Sequence, residues 1–109
     1  MKKIVAVFPE EKLKKVKDVL YTLDVGGMLI KKVHGVGLSR GEEKAKERTF
    51  HEYDKVQVEI IIKEEEVEKA VAELIETLQT GEIGDGKIFV YPVSDVIRIR
   101  SGERGEDAV

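Results

Sequence analysis

Residues Val56–Leu78 read VQVEIIIKEEEVEKAVAELIETL, and this stretch decides the fold. Val56, Val58, Ile60 and Ile62 alternate as the residues of a strand do when one face is buried. After Lys63 the period changes. Val67, Ala70, Val71, Leu74, Ile75 and Leu78 recur at helical spacing, so the stretch is strand followed by helix. Glu64, Glu65 and Glu66 stand at the start of that helix, where negative charge complements the helix dipole.

The same pattern occurs earlier in the chain. Lys63-Glu64-Glu65-Glu66-Val67-Glu68-Lys69-Ala70 can be laid over Pro9-Glu10-Glu11-Lys12-Leu13-Lys14-Lys15-Val16. Ile4 to Phe8 reads as a first buried strand. Pro9-Glu10-Glu11 opens a helix whose apolar face carries Leu13, Val16, Leu20 and Leu23. Gly26-Gly27 ends this unit, and Met28 to His34 reads as a second strand. In the second half, a strand from Ile88 to Val93 follows the helix, and Val96 to Ile99 reads as a short strand or a tight turn. Two strand–helix–strand units of this size predict an α+β, ferredoxin-like double βαβ sandwich. Its four-stranded antiparallel sheet carries both helices on one face. No third helix is available for the other face. Ile61 points opposite to Val58, Ile60 and Ile62, so the reading takes that face as largely apolar and covered by another subunit.

At 109 residues the chain is a single domain, 1–109. The charged fraction is 38%, against about 25% in ordinary domains. This suits either the Lys/Glu-rich style of heat-stable proteins or simply a well-solvated surface. The net charge of -3 argues against a nucleic-acid partner, which calls for a basic face. With no cysteine there is no disulfide, thiolate nucleophile or Cys-based zinc site. No apolar run approaches membrane-spanning length, and the apolar run after Lys2-Lys3 stops at Phe8. The expectation is therefore a cytoplasmic protein without membrane insertion.

Three segments carry candidate chemistry. Thr80-Gly81-Glu82-Ile83-Gly84-Asp85-Gly86-Lys87 joins helix to strand with three glycines and a lysine, the makings of a phosphate cradle. It matches neither the P-loop nor the dinucleotide fingerprint, so spacing alone also allows a plain glycine-rich connection. Arg98 and Arg100, two apart on a segment read as extended, would point the same way and bracket a polyphosphate; ion pairing with glutamates is the competing reading. Gly35-Val36-Gly37 permits either close approach of a ligand to the backbone or a hinge. It opens a stretch from Gly37 to Asp54 without apolar periodicity, where Arg40, Lys44, Lys46 and Arg48 mix with Glu42, Glu43, Glu47, Glu52 and Asp54. So long a segment reads as a mobile functional arm, or else as an extension of the flanking strands. His34 and His51 do not have a metal-ligand spacing, and no residue set argues for hydrolysis.

These residues resemble the PII nitrogen-regulatory signalling proteins over nearly the whole chain. The match runs through Met1-Lys2-Lys3-Ile4, Lys12-Leu13, Val16, Gly27-Met28, Gly35-Val36-Gly37 and Gly41. It is longest at Thr80 to Val90 and at Val96-Ile97-Arg98-Ile99-Arg100-Ser101-Gly102-Glu103-Arg104-Gly105-Glu106-Asp107-Ala108. The resemblance implies a homotrimer that binds ATP and ADP competitively in clefts between subunits. It implies that residues 37–54 are the family's T-loop, which acts on target proteins of nitrogen metabolism such as an ammonium transporter, with attachment to the membrane only through that partner.

By position, Thr80, Gly84, Asp85, Gly86 and Lys87 belong to the phosphate-binding loop, about 80–87. Arg98 and Arg100, in a C-terminal loop of about 98–108, would reach in from the neighbouring subunit, with Gly27 and Met28 near the base. Val7, Gly35, Val36, Gly37 and Glu59 would line the purine and ribose. Any Mg²⁺ would sit with the γ-phosphate near Gly37 and Lys87.

The departures fall in the T-loop. Ser39 stands where members that sense 2-oxoglutarate have a metal-holding glutamine, while Lys55 matches the lysine that holds the keto acid. Half of that site is present and half is not. Tyr53 is the only tyrosine of the segment and does not match the modified tyrosine of many members. Two other readings stay open. One is a divergent PII-like regulator of adenylate state without a 2-oxoglutarate response. The other is a small acylphosphatase-like hydrolase or slow ATPase.

Overall fold

The computed structural model describes residues 1–40 and 48–109, with side chains over 1–37 and 50–109. The elements run β1 (Lys2–Phe8), α1 (Leu13–Thr22), β2 (Leu29–Arg40), β3 (Arg48–Ile62), α2 (Val67–Leu78) and β4 (Lys87–Pro92). The sheet order is β2-β3-β1-β4, and every neighbouring pair is antiparallel. This is the ferredoxin-like order expected of two βαβ units.

Both helices begin alike, as the sequence repeat implies. A short 3₁₀ turn precedes each α-helix, at Glu10–Lys12 and at Glu64–Glu66. Its closing amide is donated three residues back, by Lys12 to the Pro9 carbonyl and by Glu66 to the Lys63 carbonyl, each at 3.0 Å. The glutamates therefore lie in these turns, and the α-helices proper start later than Pro9 and Lys63. Val16 and Leu20 of α1 and Val67, Ala70, Leu74 and Leu78 of α2 are buried against Ile4, Ala6, Phe8, Val56, Val58, Ile60 and Ile62. At roughly 1.5–3 kcal/mol for each large side chain buried, this single layer of contact is what sets sheet against helices.

Two expectations change. The sheet face turned away from the helices is mixed rather than largely apolar. Cross-strand register places Gln57, Glu59 and Ile61 of β3 there with Lys3, Val5 and Val7 of β1. Leu29, Lys31 and Val33 of β2 and Lys87, Phe89 and Tyr91 of β4 complete it.

The second concerns residues 37–54, read as a mobile arm or as an extension of the flanking strands; the described flanks follow the second reading. The β2–β3 ladder continues from Leu29 opposite Glu59 out to Arg40 opposite Arg48, so both flanks of that segment are strand. Alternation failed as a signal because this arm covers no core. Val36 is 58% exposed on one of its strands and Phe50 73% exposed on the other. The Gly41, Glu42, Glu43, Lys44, Lys46 and Glu47 positions, and the side chains of Ser39, Arg40 and Arg48, lie outside the described residues.

Candidate functional site

The glycine loop between α2 and β4 is organised by one carboxylate. Asp85 accepts the Thr80 amide at 2.7 Å, the Gly81 amide at 3.0 Å and the Thr80 hydroxyl. These donors, the Thr80 hydroxyl first and the Thr80 amide next, hold its pKa below the usual aspartate value. Asp85 thus closes the loop, and it also lines a pocket with Lys87 and Ile88. Gly86 then passes directly against β1. A Cβ at this position, with φ of +107°, would lie 1.9 Å from the Val7 carbonyl oxygen. Only glycine fits, and the close passage sets where Lys87 enters the sheet.

Lys87, Val7 and Gln57 form one row across β4, β1 and β3 on the helix-free face. Lys87 is exposed, and no ion pair involves it among the described residues. Lys55 lies two residues further along β3 on the same face, and its ammonium donates to the Gly84 carbonyl at 2.9 Å. Its ammonium also sits 5.0 Å from the centre of the Tyr53 ring. Tyr53 in turn faces Gly35 across the ladder, and Gly37 lies beside it. Val7, Gly35, Gly37, Lys55, Thr80, Gly84, Asp85, Gly86 and Lys87 therefore share one end of the sheet. Val36 lies on the opposite face of the arm, in register with Glu52.

The remaining candidates lie at the other end. A groove of about 590 Å³ is lined by Lys3, Gly27, Met28, Glu59, Arg98 and Val109, among others. Glu59, only 9% exposed, receives Lys3 at 3.0 Å and Lys31 at 3.4 Å. The Lys3 hydrogen bond, followed by that from Lys31, outweighs burial and lowers its pKa. The sequence reading grouped Glu59 with Gly35 and Val36, but within one chain it stands with Gly27, Met28 and Arg98.

Arg98 and Arg100 do not share an extended segment. Ile97 makes an isolated bridge to Arg104, and the chain then turns through residues 99–101. The Gly102 amide donates to the Arg98 carbonyl at 2.7 Å and closes that turn. The Arg98 guanidinium bonds Glu103 at 3.1 Å and the Asp107 carbonyl at 3.3 Å. Arg100 is exposed within the turn, and the neighbouring Ile99 is 99% exposed. The ion-pair reading thus holds for Arg98. β4, six residues long, lies between this cluster and the glycine loop in the chain. Arg98 lines the groove with Lys3 and Glu59, while Lys87 stands in the row of Val7 and Gln57.

The local partnerships that sequence reasoning missed are Thr80 as a donor to Asp85, Tyr53 as a cover for Gly35, and the bonds of His34. The His34 ring nitrogens lie 2.8 Å from Asp54 and 3.2 Å from Glu52. Hydrogen bonding to Asp54, then to Glu52, raises the His34 pKa. Cross-strand pairing of His34 with Asp54 is the signal that could have found this, once register is known. Among the described residues no cluster of three His, Asp or Glu side chains could hold a metal ion. No helix there is long and apolar enough to cross a membrane.

Known proteins are similar to this chain in sequence and fold. Residues 1–103 match the family model described as nitrogen regulatory protein P-II. The chain is 42% identical to a nitrogen regulatory protein P-II of Pasteurella multocida, over the full length of both. The structure of a B. subtilis GlnK–ATP complex matches with a TM-score of 0.85 and 31% identity, covering 99% of this chain and 96% of that one. The crystal structure of Arabidopsis thaliana PII bound to citrate matches with a TM-score of 0.80 and 41% identity, covering 99% and 91%. With its fold matched and its full length aligned, this chain belongs to the P-II nitrogen regulatory protein family.

Proposed function

We propose that the chain is a regulator that binds ATP and ADP between copies of itself and reports the bound nucleotide through the β2–β3 arm. The observation that carries this reading is that the glycine loop enters β4 at Lys87 while Arg98 follows β4, in a groove with Gly27, Met28 and Glu59. We take a polyphosphate that contacts both to be held by two chains, each giving one part. The exposed Leu29, Phe89 and Tyr91 on the helix-free face supply apolar surface for such a contact. The homotrimer implied by the resemblance would contain three such clefts. The likeness to a GlnK–ATP complex supports the nucleotide.

In this reading the loop amides around Gly84–Lys87 and the Lys87 ammonium hold the phosphates. Arg98 and Arg100 of a second copy neutralise the rest of the charge. ATP and ADP must favour different arm states for anything to be signalled, and the γ-phosphate, with any Mg²⁺, is the natural source of the difference. The arm then acts on a target of nitrogen metabolism, an ammonium transporter or an assimilation enzyme. The match to nitrogen regulatory proteins favours a regulatory role over an enzymatic one.

The test is complementation between chains. Lys87→Gln and Arg98→Gln proteins are each titrated with ATP by calorimetry, then mixed, dissociated and reassembled. A site made by two chains predicts weak binding in either homo-assembly, with tight sites restored in the mixture. Lack of nucleotide binding by the unaltered protein would overturn the reading. Recovery absent from the mixture would place the whole site within one chain.

One observation favours the divergent regulator without a 2-oxoglutarate response. Ser39 stands where the resemblance expects the metal-holding glutamine of 2-oxoglutarate sensors. ATP affinity independent of added 2-oxoglutarate is the expected outcome for that branch.

A further inference from the structure

We infer that Tyr53 is a positioning residue that couples the β2–β3 arm to the glycine loop through Lys55. The inference deepens the nucleotide reading and rests on it for its regulatory meaning. Tyr53 stands opposite Gly35 in the ladder. Its ring fills the space that a side chain at position 35 would take. A Cβ on Gly35 would be 2.6 Å from the ring, and one on Gly37 would be 3.5 Å from it. An aromatic ring laid over cross-strand glycines is held by the strand it covers. Tyr53 therefore moves with β2 as well as with β3.

Lys55 projects from the same face two residues on. Its ammonium lies 5.0 Å from the centre of the Tyr53 ring and 2.9 Å from the Gly84 carbonyl oxygen. No carboxylate pairs with it among the described residues. One cation, satisfied by a ring face and a neutral carbonyl, thus links an arm residue to the loop that Asp85 organises. A phosphate arriving at the Gly84–Lys87 amides offers Lys55 a charged acceptor, a stronger partner than a neutral carbonyl. As Lys55 turns to the phosphate, its contact with Tyr53 changes, and the packing of Tyr53 on Gly35 changes with it. Occupancy of the loop is conveyed to the arm by this route.

Backbone hydrogen exchange on the full chain, without ligand, tests the link. Tyr53→Leu is expected to speed exchange of the Gly84–Lys87 amides about two- to fivefold, the factor that an exposed cation–π contact supplies. Tyr53→Phe, which keeps the ring, should exchange as the unaltered protein does. Lys55→Met, which also removes the bond to Gly84, should speed exchange at least as much, and the double variant should show no increase beyond Lys55→Met. Loop exchange unchanged in Tyr53→Leu, or additive effects in the double variant, overturns the coupling.

Should Tyr53→Leu disrupt the arm outright, Lys55→Met decides, because it leaves the ring on Gly35; unchanged loop exchange in that variant overturns the coupling. A second arm of the experiment uses saturating ATP. The unaltered protein should change exchange at Gly35–Gly37 and Phe50–Tyr53, and Lys55→Met should not. An equal response in both overturns Lys55 as the route. Calorimetry on the same samples shows separately whether ATP binds at all. Failure there removes the nucleotide reading while the ligand-free coupling stands or falls on its own data.

Discussion

Gly86 passes so close to Val7 that a Cβ on the glycine would lie 1.9 Å from the Val7 carbonyl oxygen. Gly86→Ala therefore has to displace backbone in β1 or in the loop, and the φ of +107° is itself strained for any residue with a Cβ. The expected loss of stability is about 1–3 kcal/mol, read from urea unfolding midpoints. Gly81→Ala, where a Cβ would meet nothing within 4 Å, keeps the positive-φ strain without the collision and should cost less. Equal losses for the two would mean that the close approach to Val7 does not matter.

Asp85 closes the glycine loop only when ionised. Its pKa is lowered in the folded chain, so its contribution is complete above the ordinary aspartate value and disappears as pH falls through the lowered one. Nuclear magnetic resonance should show the Thr80 and Gly81 amide signals moving in that acidic range together with the Asp85 carboxyl. Asp85→Asn should abolish this movement and weaken ATP binding through loss of loop order. Titration of those amides at the ordinary aspartate value would contradict the assignment.

His34 bridges to Asp54 and Glu52 at the base of the arm, and its pKa is raised. The sign is opposite to that of Asp85. Stabilisation of the arm is complete below the unfolded value of about 6.5 and fades as pH rises through the raised one. All three side chains are exposed, so the effect belongs to local arm order rather than to global stability. The His34 titration followed by NMR should lie above that of an unperturbed histidine and fall back in Asp54→Asn. The same midpoint in both proteins would remove the bridge as its cause.

Glu59 is nearly buried between Lys3 and Lys31. Lys3→Met removes the closer cation. We expect a loss of about 1–2 kcal/mol in thermal or urea unfolding, below the roughly 3–5 kcal/mol of a fully buried pair, because Lys31 remains and both ammonium groups reach solvent. Since the folded pKa of Glu59 is lowered, this loss should shrink as pH drops below the ordinary glutamate value. A loss independent of pH would point to lost packing of the lysine stem instead.

Much of the fold was legible from Val56–Leu78 and its earlier counterpart, because burial imposes a period. Val58, Ile60 and Ile62 alternate since one face meets the helices, and Val67, Ala70, Leu74 and Leu78 recur since one stripe meets the sheet. The arm was not legible. Val36 and Phe50 bury nothing, so no period marks the strand that carries them. The glycine loop was recognisable by residue type and resemblance, but its internal bonding was not: no local pattern shows that Asp85 accepts the Thr80 and Gly81 amides.

The sequence by itself determined the two βαβ units, their acidic helix starts and the two basic, glycine-rich clusters, because each is a local pattern of residue types. Only the tertiary structure decided which residues meet. Antiparallel register set Tyr53 on Gly35 and His34 beside Asp54, and it brought Lys55 to Gly84. Folding also set Arg98 in a groove with Gly27, Met28 and Glu59, while Lys87 stands beside Val7 and Gln57. Such pairings depend on the relative placement of strands distant in sequence, which no local pattern encodes.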